Sequence, residues 1–469
     1  MNMKKKWKSI LMAAGIAFFT ALLPAGQVNA QETLKLPSDW ALVDSQMAYY
    51  YDLIDDNDWG NFSENISKEA LEKLCLNLYQ SLKSQCDEDN IPEFTENISE
   101  TDQINRRMVC VALYRALEAS MPDVDFDAPV EHKALYKSQL SDAVYAMTYR
   151  GVLSSLDLKD LNLEDKASRE MAYVLSARLY ETAKKMTDEV SEGTFYKVTK
   201  GNKSMYILGT MHLLQAKSYP FQEDIYKAFD EAEKLVVELD LSDQEGLNYF
   251  TTRQFYQGEE SLKNHLSESL YNELKEKIVS MNLDPEVYMK LKPWAMNLFL
   301  QTQLTESPAT ETIMGPDMYF VARNLGKKEV VELEGWEFQT DLFNDSDEKM
   351  QIDMLKDILE TADEKSDESK EDMTKIQEAR EDMLTAWENG EAYELEMMIS
   401  SPKMEASRGE FEREFWDKRN INMAEKIEQY FEDESEDDYF VLFGAGHLYG
   451  STGVIETLEA KGYKFKQIK

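Results

Sequence analysis

Two of the four histidines in the chain end similar glycine-containing segments that lie far apart. His212 ends the segment 209–212 (Gly-Thr-Met-His), and His447 ends the segment 444–447 (Gly-Ala-Gly-His). Each segment follows an apolar run that is typical of a buried strand. Glycine at the end of a strand lets the backbone turn and approach a ligand closely. Two histidines brought together at such strand ends could form a metal site or an acid–base pair.

The carboxylate of Glu238 is a third candidate for the same chemistry. It lies in the segment 234–240 (Lys-Leu-Val-Val-Glu-Leu-Asp), whose apolar residues predict a buried strand. A carboxylate in such a run is costly unless it is paired or bound to a cation. We therefore expect Glu238 to belong to the site. The alternative is that it only faces a helix N-terminus or an arginine.

The predicted elements around these residues alternate between strands and helices. We predict strands at 195–198 and 204–208 around a tight turn, a helix at 222–233 and a strand at 234–240. Residues 345–400 are predicted to be helical and strongly acidic, either as an exposed surface or as a lid over the core. The C-terminal part of the chain is therefore predicted to combine strands and helices, in the α+β or α/β class.

The N-terminal part of the chain is predicted to be an all-α helical repeat domain. Residues 35–186 contain three similar segments, 66–79, 104–114 and 167–180, each with the pattern of an amphipathic helix. Each helix is preceded by a serine or asparagine that can cap it. The polar stretch 187–192 marks the predicted boundary with the next domain.

Residues 1–30 have the features of a signal peptide. Four lysines precede an apolar stretch at 9–23, and the segment 28–30 (Val-Asn-Ala) offers a cleavage position before Gln31. No later stretch reaches the roughly 18–20 apolar residues of a membrane span. We therefore expect a secreted, extracellular protein, either released or associated with the cell wall.

The formal net charge of −39 argues against one class of partner. Removal of the four lysines with the signal peptide would take this charge to −43. So acidic a protein repels the phosphate backbone, and we therefore expect no nucleic-acid partner.

The three cysteines, Cys75, Cys86 and Cys110, all lie in the N-terminal third of the chain. An odd number provides no disulfide framework, although a Cys75–Cys110 bridge stays open. Their absence from the C-terminal domain excludes thiolate metal ligation there.

The starts of the three repeat helices carry a further pattern. They read Ser-Lys-Glu-Ala at 67–70, Asn-Arg-Arg-Met at 105–108 and Ser-Arg-Glu-Met at 168–171. The repeats resemble surface-layer homology modules, whose signature is a Thr-Arg-Ala-Glu-like tetrad and which bind secondary cell-wall polymers. The third copy is the closest to that signature. The resemblance implies a cell-wall polymer as partner, with Lys68, Arg106 or Arg107, and Arg169 as the candidate contacts.

A series of motifs in a fixed order covers about residues 195–469. They are 206–212 (Tyr-Ile-Leu-Gly-Thr-Met-His), 236–240 (Val-Val-Glu-Leu-Asp), 291–294 (Leu-Lys-Pro-Trp), 315–320 (Gly-Pro-Asp-Met-Tyr-Phe), 332–334 (Glu-Leu-Glu) with Gln339, 419–420 (Arg-Asn) with Met423, and 444–447 (Gly-Ala-Gly-His). The series resembles the TraB/GumN family, which contains the PrgY pheromone-shutdown proteins and the Tiki metalloproteases. The resemblance implies a fold similar to the erythromycin-esterase and haem-binding ChaN group, an α/β core with flanking helices.

The resemblance to Tiki proteins implies a metal-dependent hydrolase that favours manganese or cobalt. Its functional residues are the two Gly-x-x-His histidines, a glutamate on the strand after the first motif and an arginine before the second. His212, His447, Glu238 and Arg419 stand at the matching positions. The metal ligands implied are His212, Glu238 and His447.

The residue types are consistent with this chemistry. Two imidazoles and a carboxylate suit Mn²⁺, Co²⁺, Fe²⁺ or Zn²⁺, and such an ion activates water and polarises a carbonyl. Glu334 or Asp317 could act as general base, and Arg419 could stabilise the oxyanion. In the alternative assignments, one histidine is the base while carboxylates hold the metal, or Arg419 forms only a structural ion pair with Glu238 or Asp240. Asn420 could line the site or cap a helix.

The sequence thus predicts a signal peptide at 1–30, degenerate surface-layer-homology-like repeats at 31–187 and a TraB/GumN-like domain at 195–469. The predicted function is that of a secreted metal-dependent peptidase-like hydrolase acting on an extracellular peptide or protein. The alternative is a non-catalytic protein that captures a peptide or pheromone, or that binds a metal or haem. The remaining histidines, His132 and His265, are predicted to lie outside the site.

Overall fold

The chain forms two compact units, one of Gln31–Val190 and one containing Ser191–Lys469. The computed structural model describes residues 36–83, 92–99, 103–133, 140–153, 162–305, 313–324, 326–361, 367–407, 410–433 and 438–469. The N-terminal unit is built of helices, and the C-terminal unit combines helices with a mostly parallel sheet. These observations confirm the predicted class, whereas the ChaN-like fold stays a prediction. The predicted signal peptide and Cys86 lie outside the described residues.

The helices of the N-terminal unit are α1 (Leu42–Tyr50), α2 (Lys68–Leu82), α3 (Arg106–Ser120), α4 (Val130–Lys133), α5 (Asp142–Tyr149) and α6 (Arg169–Met186). The repeat segments form α2, α3 and α6, and each begins at the predicted cap. Ser67 Oγ, Asn105 Oδ1 and Ser168 Oγ accept hydrogen bonds at 3.1, 2.9 and 3.3 Å from the backbone N–H three residues later. Each cap satisfies a donor that the helix itself leaves unpaired.

The segments that precede the three repeat helices bond to one another. The backbone N–H of Ile66 donates to the carbonyl of Ala167 at 3.0 Å, and Ala167 N–H donates to the carbonyl of Ile104 at 3.1 Å. Cys75 and Cys110 are buried in this unit as free thiols, so the bridge that the sequence left open is not formed. The likeness to surface-layer homology modules stays a prediction.

The strands of the C-terminal unit are β1 (Thr194–Lys200), β2 (Lys203–Thr210), β3 (Leu213–Leu214), β4 (Lys234–Val237), β5 (Ile313–Met314), β6 (Glu329–Glu332), β7 (Tyr439–Gly444) and β8 (Lys464–Gln467). The central sheet has the order β6-β4-β7-β2-β1-β8, and β3 pairs with β5 in a separate small sheet. The strands β6, β4, β7 and β2 are parallel, whereas β1 is antiparallel to both β2 and β8. The carboxyl ends of four strands therefore meet at one edge of the sheet.

Strand β7, which lies between β4 and β2 in this parallel set, is buried along its whole length. All six residues of β7 are buried, as expected for a strand covered on both faces. Its register with β2 places Thr210 beside Gly444, and its register with β4 places Val236 beside Val441. The two glycine-histidine segments consequently leave the sheet side by side.

Helices cover the sheet, and several of them pack together in a hydrophobic cluster. They are α7 (Glu223–Glu231), α8 (Gln244–Arg253), α9 (Glu268–Ser280), α10 (Pro285–Tyr288), α11 (Pro293–Thr305), α12 (Pro316–Asn324), α13 (Trp336–Asn344), α14 (Glu348–Thr361), α15 (Asp367–Glu388), α16 (Ala392–Ser400), α17 (Pro402–Ser407), α18 (Glu410–Glu432) and α19 (Val454–Glu459). Trp294, Trp336, Phe415 and Trp416 belong to one hydrophobic cluster among these helices. Within the described part of the chain, no helix has the length and hydropathy needed to cross a membrane.

Two predicted elements are shorter in the structure. The strand predicted at 234–240 ends at Val237, although the carbonyls of Val237 and Glu238 still accept hydrogen bonds from the N–H groups of Leu333 and Glu334, beyond the end of β6, at 2.8 and 3.2 Å. The helix predicted at 222–233 spans Glu223–Glu231. The early end of the strand matters for function, since Glu238 thereby lies just past the edge of the sheet.

Candidate metal and acid–base site

The candidate site lies at the carboxyl edge of the parallel strands. His212 follows β2, Glu238 follows β4 and His447 follows β7, and these strands are neighbours in the order β4-β7-β2. Residues that leave adjacent parallel strands at the same edge come close together, which is the usual position of a site in an open α/β sheet. The topology therefore brings together the three residues that the sequence placed at separate strand ends.

The three side chains converge on a single point beside Gly444. A methyl group built on Gly444 would lie 3.6 Å from His212 Nε2, 3.7 Å from Glu238 Oε2 and 3.7 Å from His447 Cδ2. The backbone of Gly444 has φ −52° and ψ 130°, a conformation open to any residue. Glycine is needed here for space, because a side chain would occupy the point that the three groups share.

The imidazole of His212 is held by a carboxylate. Its Nδ1 lies 3.1 Å from Asp317 Oδ2, and Asp317 Oδ1 accepts a hydrogen bond from Thr210 Oγ1 at 2.8 Å. Since a carboxylate only accepts, Nδ1 carries the proton and Nε2 is the nitrogen directed toward Gly444. Burial opposes the charged imidazole, but the charges of Asp317 and Glu238 together raise the pKa of His212 above its usual value.

The imidazole of His447 has an equivalent arrangement with a neutral partner. Its Nδ1 lies 2.6 Å from Asn420 Oδ1, and the ring of Trp416 packs against it with centroids 4.8 Å apart. An amide oxygen only accepts, so Nδ1 of His447 is again the donor. Both histidines therefore present Nε2 as the nitrogen with the lone pair, which is how metal-binding histidines are usually held.

Glu238 and Glu334 share one buried arginine. Arg419 Nη2 donates to Glu238 Oε1 at 2.5 Å and to Glu334 Oε2 at 2.8 Å, and its Nε donates to Glu334 Oε1 at 2.9 Å. Gln339 Nε2 donates to both carboxylates at 2.7 Å. The second oxygen of Glu238 accepts a hydrogen bond from Gly444 N–H at 3.2 Å, so it faces the shared point.

The two glutamates differ in how readily they bind a proton. Although burial raises the pKa of Glu238, the charges of Arg419, His447 and His212 lower it to about 2. Burial raises the pKa of Glu334, and the attraction of Arg419 only partly offsets this effect. When the pKa values of two carboxyl groups in one site are moved apart in this way, the group with the lowered pKa stays ionised. The group with the raised pKa is the better proton acceptor near neutral pH.

The buried charges of the site do not balance. The carboxylates of Glu238, Glu334 and Asp317 lie within one network that contains a single guanidinium, that of Arg419. When all three are ionised, two negative charges remain in excess in a region of low dielectric. A divalent cation, or protonation of both imidazoles, would restore the balance.

The donor set fits a divalent ion in type. Nε2 of His212, one carboxylate oxygen and the Cδ2 edge of the His447 ring face the same methyl-sized space, with Asp317 and Asn420 holding the rings from behind. Among the described residues, however, no group of three or more His, Cys, Asp or Glu side chains has the geometry of a preformed metal site. The side chains would have to close around an ion.

All seven residues predicted for the site lie in this network: His212, Glu238, Asp317, Glu334, Arg419, Asn420 and His447. Their catalytic and metal-binding roles stay predictions. Asn420 contacts an imidazole from within α18 and does not cap a helix. His265 lies away from the network, between Glu348 at 2.6 Å and Glu260 at 3.0 Å.

Three further contributors were not predicted as site residues. Gln339 links the two glutamates, Thr210 supports Asp317, and Trp416 packs on His447. Gln339 and Thr210 stand within the recognised motifs, so their polar character was the available signal. Trp416 stands one helical turn before Asn420 in α18, where an aromatic residue is equally typical of a core.

A family model described as the TraB/PrgY/gumN family matches residues 194–467, which is more than half of the chain. No curated protein and no solved structure matches the chain significantly. The matched region contains every residue of the network described above. The chain therefore belongs to the TraB/PrgY/gumN family.

Proposed function

We propose that this protein is a secreted, metal-dependent hydrolase that cleaves an extracellular peptide or protein. The observation that carries the proposal is the convergence of His212 Nε2, Glu238 Oε2 and His447 on one point beside Gly444. Oxygen partners orient both rings from behind, and the surrounding carboxylates leave an excess of negative charge. This combination favours a divalent cation.

In this proposal His212, Glu238 and His447 hold the ion, with manganese or cobalt expected first and zinc or iron as alternatives. When bound, the ion supplies a Lewis acid that polarises a carbonyl and lowers the pKa of water. Asp317 and Asn420 keep the two rings in the tautomer that presents Nε2. Gln339 and Arg419 hold Glu238 ionised, and its low pKa keeps it a ligand rather than an acid.

Glu334 is the proposed proton acceptor, because its pKa is raised while that of Glu238 is lowered. Glu334 is also one of the residues around a groove of about 640 Å³, together with Glu332 and Gly335. Arg419 provides a fixed positive charge for the oxyanion that develops during hydrolysis. Asp317 is a positioning residue in this scheme, since it holds Nδ1 of His212 and accepts a hydrogen bond from Thr210.

Elemental mass spectrometry of the purified mature protein tests the metal. We expect near-stoichiometric Mn, Co, Fe or Zn in the wild type and loss of that metal in the His212→Ala/His447→Ala double variant. His265→Ala is the matched control, because it removes a histidine outside the site. Equal metal content in the double variant and the wild type would contradict the assignment.

Gly444→Ala is a sharper test, because it adds one methyl group at the shared point. The added carbon would meet its neighbours at ordinary contact distances in an allowed backbone conformation, so we expect the fold to persist. Peptide hydrolysis, measured on a fluorogenic library with each divalent ion, should fall by about 100-fold or more. Hydrolysis that survives both Gly444→Ala and His212→Ala/His447→Ala would exclude this site as its source.

One observation favours a second candidate, a protein that holds a metal or peptide without cleaving it. His212, Glu238 and His447 are buried, and the cavity beside them has a volume of only about 20 Å³. A peptide cannot enter such a space unless surrounding helices move. Stoichiometric metal in a protein that cleaves no library member, while still retaining peptides on a column, would support this second function.

The proposed location and wall partner rest on the N-terminal part of the chain. The lysine-rich, apolar start favours export, and the capped repeat helices favour binding of a cell-wall polymer. Co-sedimentation with purified sacculi, before and after removal of the secondary polymer, tests the partner. Equal sedimentation in the two preparations would refute a role for the polymer.

A further inference from the structure

A small recess with apolar walls opens beside the point where the three site residues converge. Its side walls are Met211, Met383, Ile399 and Trp416, and the turn 444–447 forms its floor. Met211 follows β2, while the other three side chains come from α15, α16 and α18. The recess and the reactive groups therefore share one space, with His212 and His447 on the border between them.

The walls of the recess are fixed by contacts with the sheet edge. The ring of Trp416 lies against His447, and a methyl group on Gly446 would come within 3.2 Å of that ring, so glycine allows this close approach. Trp387 Nε1 donates to the carbonyl of Gly209 at 2.7 Å, which anchors the helix that carries Met383 to β2. The recess thus adjoins the same sheet edge that carries the histidines.

The space inside the recess is small but not filled. Its volume of about 20 Å³ would admit a group the size of a water molecule or a methyl group. The side chains of Met383, Ile399 and Trp416 are 2%, 3% and 7% exposed and make this side of the recess apolar, whereas the polar side chains of the lining, Thr210, His212 and His447, belong to the site. An apolar occupant gains more from such a space than water does, whereas a charged side chain would lose its hydration without compensation.

We propose that this recess is the side-chain pocket of the substrate, and that it selects peptides with alanine, whose side chain is a single methyl group, next to the cleaved bond. This inference rests on the proposed function, because it deepens the description of the same site. After the surrounding helices have moved to admit the chain, the cleaved bond would lie beside His212 and His447, and the neighbouring side chain would enter between Met383 and Ile399. Ile399 is the specificity-determining residue, since it borders the pocket without touching the polar network.

Pocket size should be visible as a ratio of rates. One methylene group in an apolar pocket changes kcat/KM by about 10–200-fold between substrates. We expect the wild type to cleave peptides with alanine at this position at least about 10-fold faster than those with leucine or phenylalanine. Ile399→Ala should enlarge the pocket and reverse the order, so that leucine becomes the better substrate.

The test has two arms that separate this inference from the proposed function. The first arm measures cleavage of a peptide library varied at the positions around the bond, for the wild type, Ile399→Ala and the milder Ile399→Val. The second arm measures binding of N-acetyl-Xaa-N-methylamides of alanine, valine, leucine and phenylalanine by saturation-transfer NMR, which needs no turnover. Ile278→Val, in the buried face of α9, is the matched control for loss of a core methyl group.

Each outcome decides one of the two ideas. Cleavage without dependence on side-chain size would overturn the pocket and leave the hydrolase intact. Size-dependent binding that Ile399→Ala or Ile399→Val shifts toward larger residues would support the pocket even if no peptide is cleaved, in which case the hydrolase proposal fails. Absence of both cleavage and binding, or an equal shift in Ile278→Val, would overturn the pocket.

Discussion

The two units of the molecule contain arginine–carboxylate pairs of nearly equal length in opposite surroundings. In the C-terminal unit, Arg419 lies 2.8 Å from Glu334, and their side chains are 3% and 1% exposed. In the N-terminal unit, Arg107 lies 2.7 Å from Glu164, with side chains 35% and 71% exposed. The contact distances are alike, so the difference between the pairs lies in the solvent that surrounds them.

The contribution of an ion pair to stability depends more on its burial than on its contact distance. Two charges removed from water lose several kcal/mol of hydration each, and their attraction compensates only when every hydrogen bond is made. An exposed pair loses little on formation and contributes about 0–1 kcal/mol. The buried network of Arg419 is therefore a costly arrangement for stability alone, which agrees with a functional reason for it.

The largest effect is expected from removal of the buried cation. Arg419→Met leaves Glu238 and Glu334 without a counter-charge in a buried site, and we expect it to lower the free energy of unfolding by about 3–5 kcal/mol. Urea denaturation followed by tryptophan fluorescence measures the loss. The triple variant Arg419→Met/Glu238→Gln/Glu334→Gln should recover most of it. A loss below about 1 kcal/mol in the single variant would mean that the buried and exposed pairs are equivalent.

The second-largest effect is expected from acid, which should lower the stability of the C-terminal unit more than that of the N-terminal unit. The pKa of Glu238 is lowered to about 2 from 4.5, so its stabilisation is complete above pH 4.5 and is lost as the pH falls toward 2. At about 1.4 kcal/mol per pKa unit, the loss amounts to about 3 kcal/mol. His212, whose pKa is raised, stays protonated in both states over this range and adds no slope. In the N-terminal unit the hydrogen bond from Lys73 lowers the pKa of Asp55, but solvent screens that fully exposed carboxylate.

Urea unfolding of the wild type and Glu238→Gln at several pH values measures this contribution. The stability difference between the two proteins should shrink as the pH falls below 4.5, because the wild-type carboxylate then becomes protonated as well. A difference that stays constant down to about pH 2.5 would show that the ion pair is not the source of the effect.

A smaller effect is expected from the neutral partner of His447. Asn420→Ala removes the acceptor that holds the ring, and losses of this kind typically lower metal affinity or activity by about 10–100-fold. Asn420→Asp keeps an acceptor at the same place and should recover most of the affinity. Competition titration with a metal-binding dye measures both variants. Equal affinities for Asn420→Ala and the wild type would remove Asn420 from the positioning of the site.

The sequence predicted those site residues well that stood out from their own local pattern. His212 and His447 stood out because glycine and apolar runs preceded them, and Glu238 stood out because a carboxylate is unusual in a buried strand. Their meeting could be expected in outline, since parallel strands end at one edge. Sequence could not specify that Arg419 would bind two carboxylates, because α18 and the end of β6 meet only after the sheet order is set.

The N-terminal unit shows the same difference between local features, which the sequence predicts, and long-range contacts, which it does not. The caps Ser67, Asn105 and Ser168 were predictable, because capping depends on residues three positions apart. The pairing of Arg107 with Glu164 was not predictable, because it joins a repeat helix to the segment that precedes another repeat and contributes no local pattern to either. Local sequence patterns thus predict the helices and strands, whereas ion pairs between distant residues can be identified only once the packing is known.

The smallest effect, and the counterpart of the first prediction, concerns this exposed pair. Arg107→Ala should lower the free energy of unfolding by no more than about 1 kcal/mol, because water replaces the lost contact with Glu164. A double-mutant cycle with Glu164→Ala should give a coupling energy in the same range, and added salt should reduce it further. The cycle separates the pair from the other contacts of each residue. A coupling of several kcal/mol would place this pair in the same class as that of Arg419 and would show that exposure is the wrong criterion for telling the two units apart.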